Sequence, residues 1–363
     1  MYALFFADTG LSDVEISALF AIWSTVGVVA EVPTGALADR FSRRGALVAA
    51  GVCQALGYVL WTTLPGFAAF AVGFVLWGLG GALGSGALEA LLYDGLAAVG
   101  AESHYARVNG WVTAAELLTD LPTALAATVL FATGGYQLAG WISVGCCLAA
   151  AGLAALLPEA PRGLDEDDGT TYFETLRAGV AEAVAQPAVR AGVVAVALIS
   201  GLDAFEEYFP LIAAGWGVPT PYVPFAVLAI PLVGAAGAGL AGRANGLRPV
   251  TLGVLLAASA VLLGAAGLLA RPEGLVAVAV FYGLYRLVLV VVDARLQERI
   301  GTDARATVTS VAGLGSEFAC YAVYAAWAFG EVALVSGLIL ACAVALPLLL
   351  RVRIRSSARG STP

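Results

Sequence analysis

Apolar runs recur along the chain near 14–37, 45–63, 67–92, 106–133, 136–157, 189–214, 221–242, 249–269, 274–294, 305–328 and 332–350. About 20 apolar residues in helical form cross the ~30 Å of a bilayer's hydrocarbon, so the pattern predicts eleven full transmembrane helices. Turn signals divide the runs: Leu64-Pro65-Gly66, Gly134-Gly135, Gly217-Val218-Pro219, Arg271-Pro272 and Gly330. Backbone polar groups at membrane depth need partners within the chain, which selects helices over isolated strands. Residues Met1 to Ala7 are apolar but make only about a third of a span. They are expected to be the end of a first helix whose beginning is absent. They carry neither a basic stretch nor a small-residue cleavage site, so they are not read as a signal peptide.

Polar positions break the pattern once on a large scale. Pro158 to Asp168 is acidic, and 172–186 reads as an amphipathic helix with Phe173, Leu176, Val180 and Val184 on one face. The expected organisation is an N-terminal helical half over 1–157, a surface linker over 158–188, a six-helix C-terminal half over 189–350 and an arginine-rich tail over 351–363. Of the 18 basic residues, Arg271 alone falls on one side of the membrane, Arg286 lies in mid-membrane, and all others fall on the opposite side. Basic residues stay cytoplasmic, which places the linker and the C-terminus in the cytoplasm of a plasma membrane. Alanine, glycine and arginine are abundant, and the absence of lysine points to GC-rich coding and a bacterial inner membrane.

Composition removes whole classes of activity. The chain of 363 residues is 60% hydrophobic and only 12% charged, with a mean hydropathy of +0.90, far from the polar surface that a soluble domain needs. Every basic residue is arginine, so P-loop and Schiff-base chemistry, which need an ammonium, are excluded. One histidine, His104, cannot form a histidine-rich zinc centre, and no G-x-S-x-G or H-E-x-x-H occurs. A net charge of −8 argues against nucleic acid. Cys53, Cys146, Cys147, Cys320 and Cys342 sit in apolar runs as small packing residues. No enzyme, metal or cofactor is expected.

What chemistry remains lies in the charges inside the spans. These are Glu31, Glu89, Glu116, Asp120, Asp203, Glu206, Glu207, Arg286, Asp293 and Glu317. Each costs at least about 2.5 kcal/mol near the bilayer centre and must face protein or water. At ~1.5 Å per residue, Glu116, Asp120, Asp203, Arg286 and Glu317 fall near the midplane. Glu31, Glu89 and Asp293 fall towards the cytoplasmic mouth, and Glu206 and Glu207 towards the outer one. In helical spacing Thr113, Glu116 and Asp120 share a face, as do Asp203, Glu206 and Glu207, while Tyr282, Arg286 and Asp293 form one stripe. The plainer alternatives are that Arg286 only neutralises Asp203 or Glu317, and that Glu116 and Asp120 only bond between helices.

The stretch Gly35-Ala-Leu-Ala-Asp39-Arg40-Phe-Ser-Arg43-Arg44 resembles the loop signature of the major facilitator superfamily, in its usual place between the second and third helices. The resemblance covers essentially the whole chain. It implies an all-α membrane fold of two six-helix halves related by pseudo-two-fold symmetry, with alternating access to a central site. Counting the incomplete helix as the first, the third, sixth, ninth and twelfth carry no interior charge, and the family places these outside. Two stretches, Ser85-Gly-Ala-Leu-Glu89-Ala-Leu-Leu-Tyr93-Asp94 and Arg305-Ala-Thr-Val-Thr-Ser310, resemble bacterial efflux-like members. Two antiporter features are missing: the fourth-helix arginine has no counterpart, and Pro122 stands alone where a glycine-proline motif would be.

The reading that follows is a secondary transporter of a small organic molecule, coupled to protons and moving a cationic or amphiphilic compound outward. Glu116, Asp120, Asp203, Arg286, Glu317 and Tyr282 are the candidate substrate and proton-coupling residues, with Trp23 and Tyr285 as further aromatic contacts. Gly35, Asp39, Arg40, Arg43, Arg44, Glu89, Asp94 and Asp293 are the candidate cytoplasmic gate. There, Asp39 would meet the N-terminus of the helix starting near Arg305, and the arginines would pair with Glu89, Asp94 or Asp293. The alternatives are a nutrient importer or uniporter of the same fold, and a transport-inactive sensor favoured by the incomplete first helix. Partners are the bilayer, the substrate and protons. A monomer is expected, since Gly80-x-x-x-Gly84 suits packing inside the chain.

Overall fold

The computed structural model describes residues 1–40, 42–159, 186–300 and 305–352, with backbone alone at 31–33, 35–40, 113, 114, 116, 117, 120 and 305–307. All regular structure among them is helical: α1 (Tyr2–Asp8), α2 (Asp13–Arg40), α3 (Arg43–Thr63), α4 (Phe67–Gly84), α5 (Ala87–Ala97) and α6 (Tyr105–Leu156) come first. They are followed by α7 (Pro187–Gly201), α8 (Phe209–Gly215), α9 (Val223–Ala244), α10 (Pro249–Leu269), α11 (Gly274–Arg299) and α12 (Arg305–Leu350). Nine helical stretches among the described residues are long and apolar enough to cross a membrane. Two of them contain a backbone break where a turn signal stands in the sequence. One is Gly135 in α6, at φ 59° and ψ −153°, a conformation that glycine reaches without a Cβ clash. The other is Gly330–Glu331 in α12. The predicted amphipathic helix over 172–186 and the tail from 353 lie outside the described residues.

The described residues form two compact units. The first holds α1 to α6 together with Glu207–Leu228, and the second holds α7 with the residues up to Glu206 and the chain from Ala229 onward. In the first unit α3 packs on both α4 and α6, and α2 packs on α4. A nest of rings fastens α1 in place: Phe6 meets Phe70 at 4.2 Å between centroids and Trp61 edge-on at 5.4 Å. Phe6, Phe20, Phe70 and Phe74 are fully buried there. Helix starts follow local chemistry. Ser12 and Glu15 form a capping box on α2, with Ser12 N donating to Glu15 Oε2 at 2.9 Å. Ser42 Oγ accepts from Gly45 N at 2.8 Å to start α3. A Cβ on Gly80 or on Gly84 would meet Ala50 of α3, so that glycine pair serves packing inside this unit.

In the second unit α12 lies along α7 and α10, and α11 packs on α7 and α10. The tightest approach joins α9 and α11, where a Cβ on Gly237 would fall 1.9 Å from the Gly283 carbonyl oxygen. Large apolar side chains such as Leu268 (89% exposed) and Phe329 (76%) point outward. That is unfavourable in water and natural against lipid.

Two spans depart from the sequence expectation. The run at 67–92 is divided into α4 and α5 by Ser85 and Gly86, the latter left-handed at φ 68°. The run at 189–214 is not one α-helix: α7 ends at Gly201, a 3₁₀ segment covers Leu202–Tyr208, and α8 resumes at Phe209. Pro210 supplies the reason, because its ring opposes the carbonyl four residues back and it offers no N–H.

Candidate functional site

The 3₁₀ segment sets the geometry of the membrane-embedded charges. At three residues per turn, side chains at i and i+3 stand one above the other, so Asp203 and Glu206 come together. Both reach Tyr282 of α11, whose hydroxyl lies 2.9 Å from Asp203 Oδ1 and 3.0 Å from Glu206 Oε2. One turn along α11, Arg286 Nη1 donates to Asp203 Oδ2 at 2.8 Å, and its guanidinium carbon lies 5.8 Å from the Tyr282 ring centroid. Tyr282 is backed by α9, since a Cβ on Gly234 would strike its ring at 2.6 Å. Of the two carboxylates weighed for Arg286, Asp203 is the one paired with it. The side chains of Arg286 and Asp203 are 33% and 32% exposed, so the pair is neither dry nor freely solvated.

Two expectations need correction here. Glu207 does not share a face with Asp203 and Glu206, because the 3₁₀ twist turns it away; it accepts instead from the Tyr2 hydroxyl of α1. Glu206 stays on the face of Asp203, as its spacing predicts, and joins that cluster through Tyr282. Tyr285 is fully buried, and its hydroxyl donates to the Ile199 carbonyl at 2.9 Å, so it braces α7 and offers no free ring face. Trp23 is stacked on Phe74, with centroids 5.8 Å apart. Glu317 is exposed on α12. The side chains of Glu116 and Asp120 lie outside the described residues.

A second charged cluster occupies the ends of α3 and α5 in the first unit. Arg43 pairs with Asp94 and also donates to the Ala90 carbonyl at 3.3 Å. Glu159, which the sequence reading did not single out, accepts from Ser42 Oγ and from Arg43 N, both at 2.8 Å. A carboxylate is favoured at that helix N-terminus by the dipole and the unpaired N–H groups. Arg44 lies 3.9 Å from Glu159 and donates to the Leu157 carbonyl at 3.4 Å. These bonds all lie inside the first unit and tie α3 to α5 and to the start of the linker. Glu89 stands exposed in the first turn of α5. Asp293 is half-buried near the end of α11, in the second unit. The side chains of Gly35, Asp39, Arg40 and Arg305 are outside the described residues; the backbone of α2 remains helical through Arg40.

The first unit also contains a cavity of about 590 Å³, lined by Tyr58, Trp61, Trp77, Phe131, Tyr136 and Ser143 among others. No Asp, Glu, Arg or His stands among the described residues lining it. Trp77 Nε1 is buried with no hydrogen-bond partner among the described residues. No group of three or more potential metal ligands occurs among the described residues.

Membrane-length helices, an outward apolar surface and a half-buried charge network define a multi-pass membrane protein. Residues 1–324 match the family model described as Major Facilitator Superfamily, and the chain belongs to that superfamily. It is by class a membrane transporter and not an enzyme. A comparison with curated proteins gives no match. Among solved structures it is similar to a mutant form of the nucleoside transporter NupG, with a TM-score of 0.72 and 11% identity over 96% of this chain and 92% of that one. It is similar to a D-xylose-proton symporter with a TM-score of 0.69 and 15% identity, over 93% and 89%. A further NupG structure gives 0.68 and 11%, over 97% and 94%.

Proposed function

We propose that the protein is a secondary active transporter that moves a small organic molecule by alternating access, coupled to protons. The observation that carries this reading is the cluster of Asp203, Glu206, Tyr282 and Arg286, two carboxyls against one guanidinium inside a span. An ionisable group at that depth is retained at a cost of ~2.5 kcal/mol or more, and a carboxyl that can take up a proton there is a means of coupling. Asp203, Tyr282 and Arg286 are assigned to the coupling site, with Glu116, Asp120 and Glu317 as further acidic members. The excess of acid suits a cationic or neutral amphiphilic substrate, moved outward. Asp39, Arg40, Arg43, Arg44, Glu89, Asp94 and Asp293, with Gly35, are assigned to a cytoplasmic gate.

Import is the second reading. The fold likeness to a D-xylose-proton symporter and to a nucleoside transporter favours it. The test is uptake by proteoliposomes of radiolabelled lipophilic cations, pentoses and nucleosides, with the pH gradient imposed in each direction. Accumulation on the proton-rich side supports outward antiport, and accumulation on the proton-poor side supports import by symport. Flux that ignores the gradient for every compound transported removes proton coupling.

A further inference from the structure

The cavity of the first unit is walled by rings set in two groups. Trp61 and Trp77 lie nearly parallel with centroids 6.1 Å apart, and Tyr58 stands edge-on to each at 5.4 Å. Tyr136 stands edge-on to Phe131 at 5.0 Å. All five line the same space of about 590 Å³. Between them the wall is made of small residues, among them Ala127 and Ala139, which leave the room that larger side chains would take. Small-molecule sites span roughly 300–1,000 Å³, whereas close packing leaves few voids larger than a water molecule. The cavity lies wholly within the first unit. Asp203, Glu206, Tyr282 and Arg286 do not line it.

The chemistry of the wall selects the occupant. A buried water needs about three polar partners, and the tyrosine hydroxyls of the wall are already engaged. Tyr58 shares a hydrogen bond with Ser143, Tyr136 donates to Asp8, and Tyr2 donates to Glu207. Thr62 Oγ1 donates to the Tyr58 carbonyl at 2.7 Å. A cation would gain the ring faces, but it would give up its water with no carboxylate among the described wall residues to replace it. Ring faces and edges offer offset and edge-on contacts to another ring, a geometry that an acyl chain cannot use. Leu125 and Val129, next to the wall on α6, are exposed, as suits a helix met by lipid. We propose that this cavity is a binding site for an uncharged, ring-bearing apolar molecule taken from the lipid phase. The site does not depend on the proton-coupled reading and stands if that reading fails.

Benzophenone tests this directly, since it is uncharged, carries two rings and inserts into nearby C–H bonds under near-ultraviolet light. The full chain in lipid nanodiscs is irradiated over a range of benzophenone concentrations, and labelled peptides are mapped by mass spectrometry. Labelling within 58–77 and 123–147 is expected to saturate, and to be suppressed by unreactive diphenylmethane. Labelling around Val261 and Leu268, which are exposed on α10, is expected to rise in proportion to concentration. Ala127→Phe and Ala139→Phe fill the cavity and are expected to lose the saturable component, while Val261→Phe keeps it. Competition by diphenylmethane reads the site in the wild type, so the proposal does not hang on the folding of any variant. Labelling of the cavity peptides that never saturates, or that is absent while a phospholipid is retained in the mass spectrum of the intact protein, would overturn it. Stronger suppression by benzyltrimethylammonium than by diphenylmethane would overturn the uncharged class of ligand.

Discussion

Arg43–Asp94 and Arg286–Asp203 are both ion pairs between two helices, with side chains exposed to comparable degrees. Their settings differ. Arg43 opens α3 at a helix end, beside the carbonyl of Ala90 and the carboxylate of Glu159. Arg286 lies twelve residues into α11, about 18 Å along the helix at 1.5 Å per residue, and its partners are another span's carboxylate and the face of Tyr282. A charge at a helix end can fall back on water when its partner is removed. A charge in the middle of a span reaches water only through its exposed third, so the same pair of residue types takes on a different weight.

The largest test of that contrast is Arg286→Ala, which leaves Asp203 charged and half-buried. A loss of about 3 kcal/mol is expected, the low end for breaking a buried pair because both groups are about a third exposed. Thermal unfolding in detergent measures it, and a loss no greater than that of the Arg43 pair would erase the distinction between the two sites. The next effect concerns what holds Tyr282 and Arg286 in place. Gly237→Ala drives a methyl into the Gly283 carbonyl and should cost about 1–3 kcal/mol. The matching change in the first unit, Gly81→Ala, meets open space and should be neutral or slightly stabilising, since alanine favours a helix by roughly 0.5–1 kcal/mol. Equal unfolding temperatures for the two variants would contradict the close approach of α9 and α11.

Tyr282→Phe removes the hydroxyl and keeps the ring. A stability loss of about 1 kcal/mol is expected, together with loss of the response of flux to pH, and a variant with wild-type pH response would separate this tyrosine from coupling. The smallest effect is expected for Asp94→Asn, below about 1 kcal/mol and shrinking further as salt is added. A loss that is large and independent of salt would mean that the helix-end cluster is shielded from water after all.

Much of this was legible in the chain. Span-length apolar runs, the loop from Gly35 to Arg44 and the scarcity of interior charge marked a membrane protein of this superfamily, because lipid imposes length and hydrophobicity on each helix separately. Asp203, Tyr282 and Arg286 were also identifiable, since a charge inside a span needs a reason. Glu207 was misplaced for a specific cause: its face was counted along an ideal α-helix, whereas Leu202–Tyr208 is 3₁₀, where i+3 stays over Asp203 and i+4 turns aside. Pro210 is the signal for that change, since a proline there interrupts the α-helical bonds of the preceding turn. Glu159 gave a weaker signal, as an acid just after a span whose partner, the N-terminus of α3, is more than a hundred residues away in sequence.

By itself, then, the sequence determined the medium, the helical class and the set of residues whose chemistry needs explaining, because hydrophobic length and charge scarcity act residue by residue along the chain. Tertiary structure alone decided the partners. Arg286 had two carboxylates within conceivable reach and took Asp203, Tyr285 was turned to a backbone carbonyl, and Tyr282 was given two carboxyl neighbours for one hydrogen. Hydrogen bonds demand a few tenths of an ångström and a direction, and those follow only from how the helices bend, cross and pack.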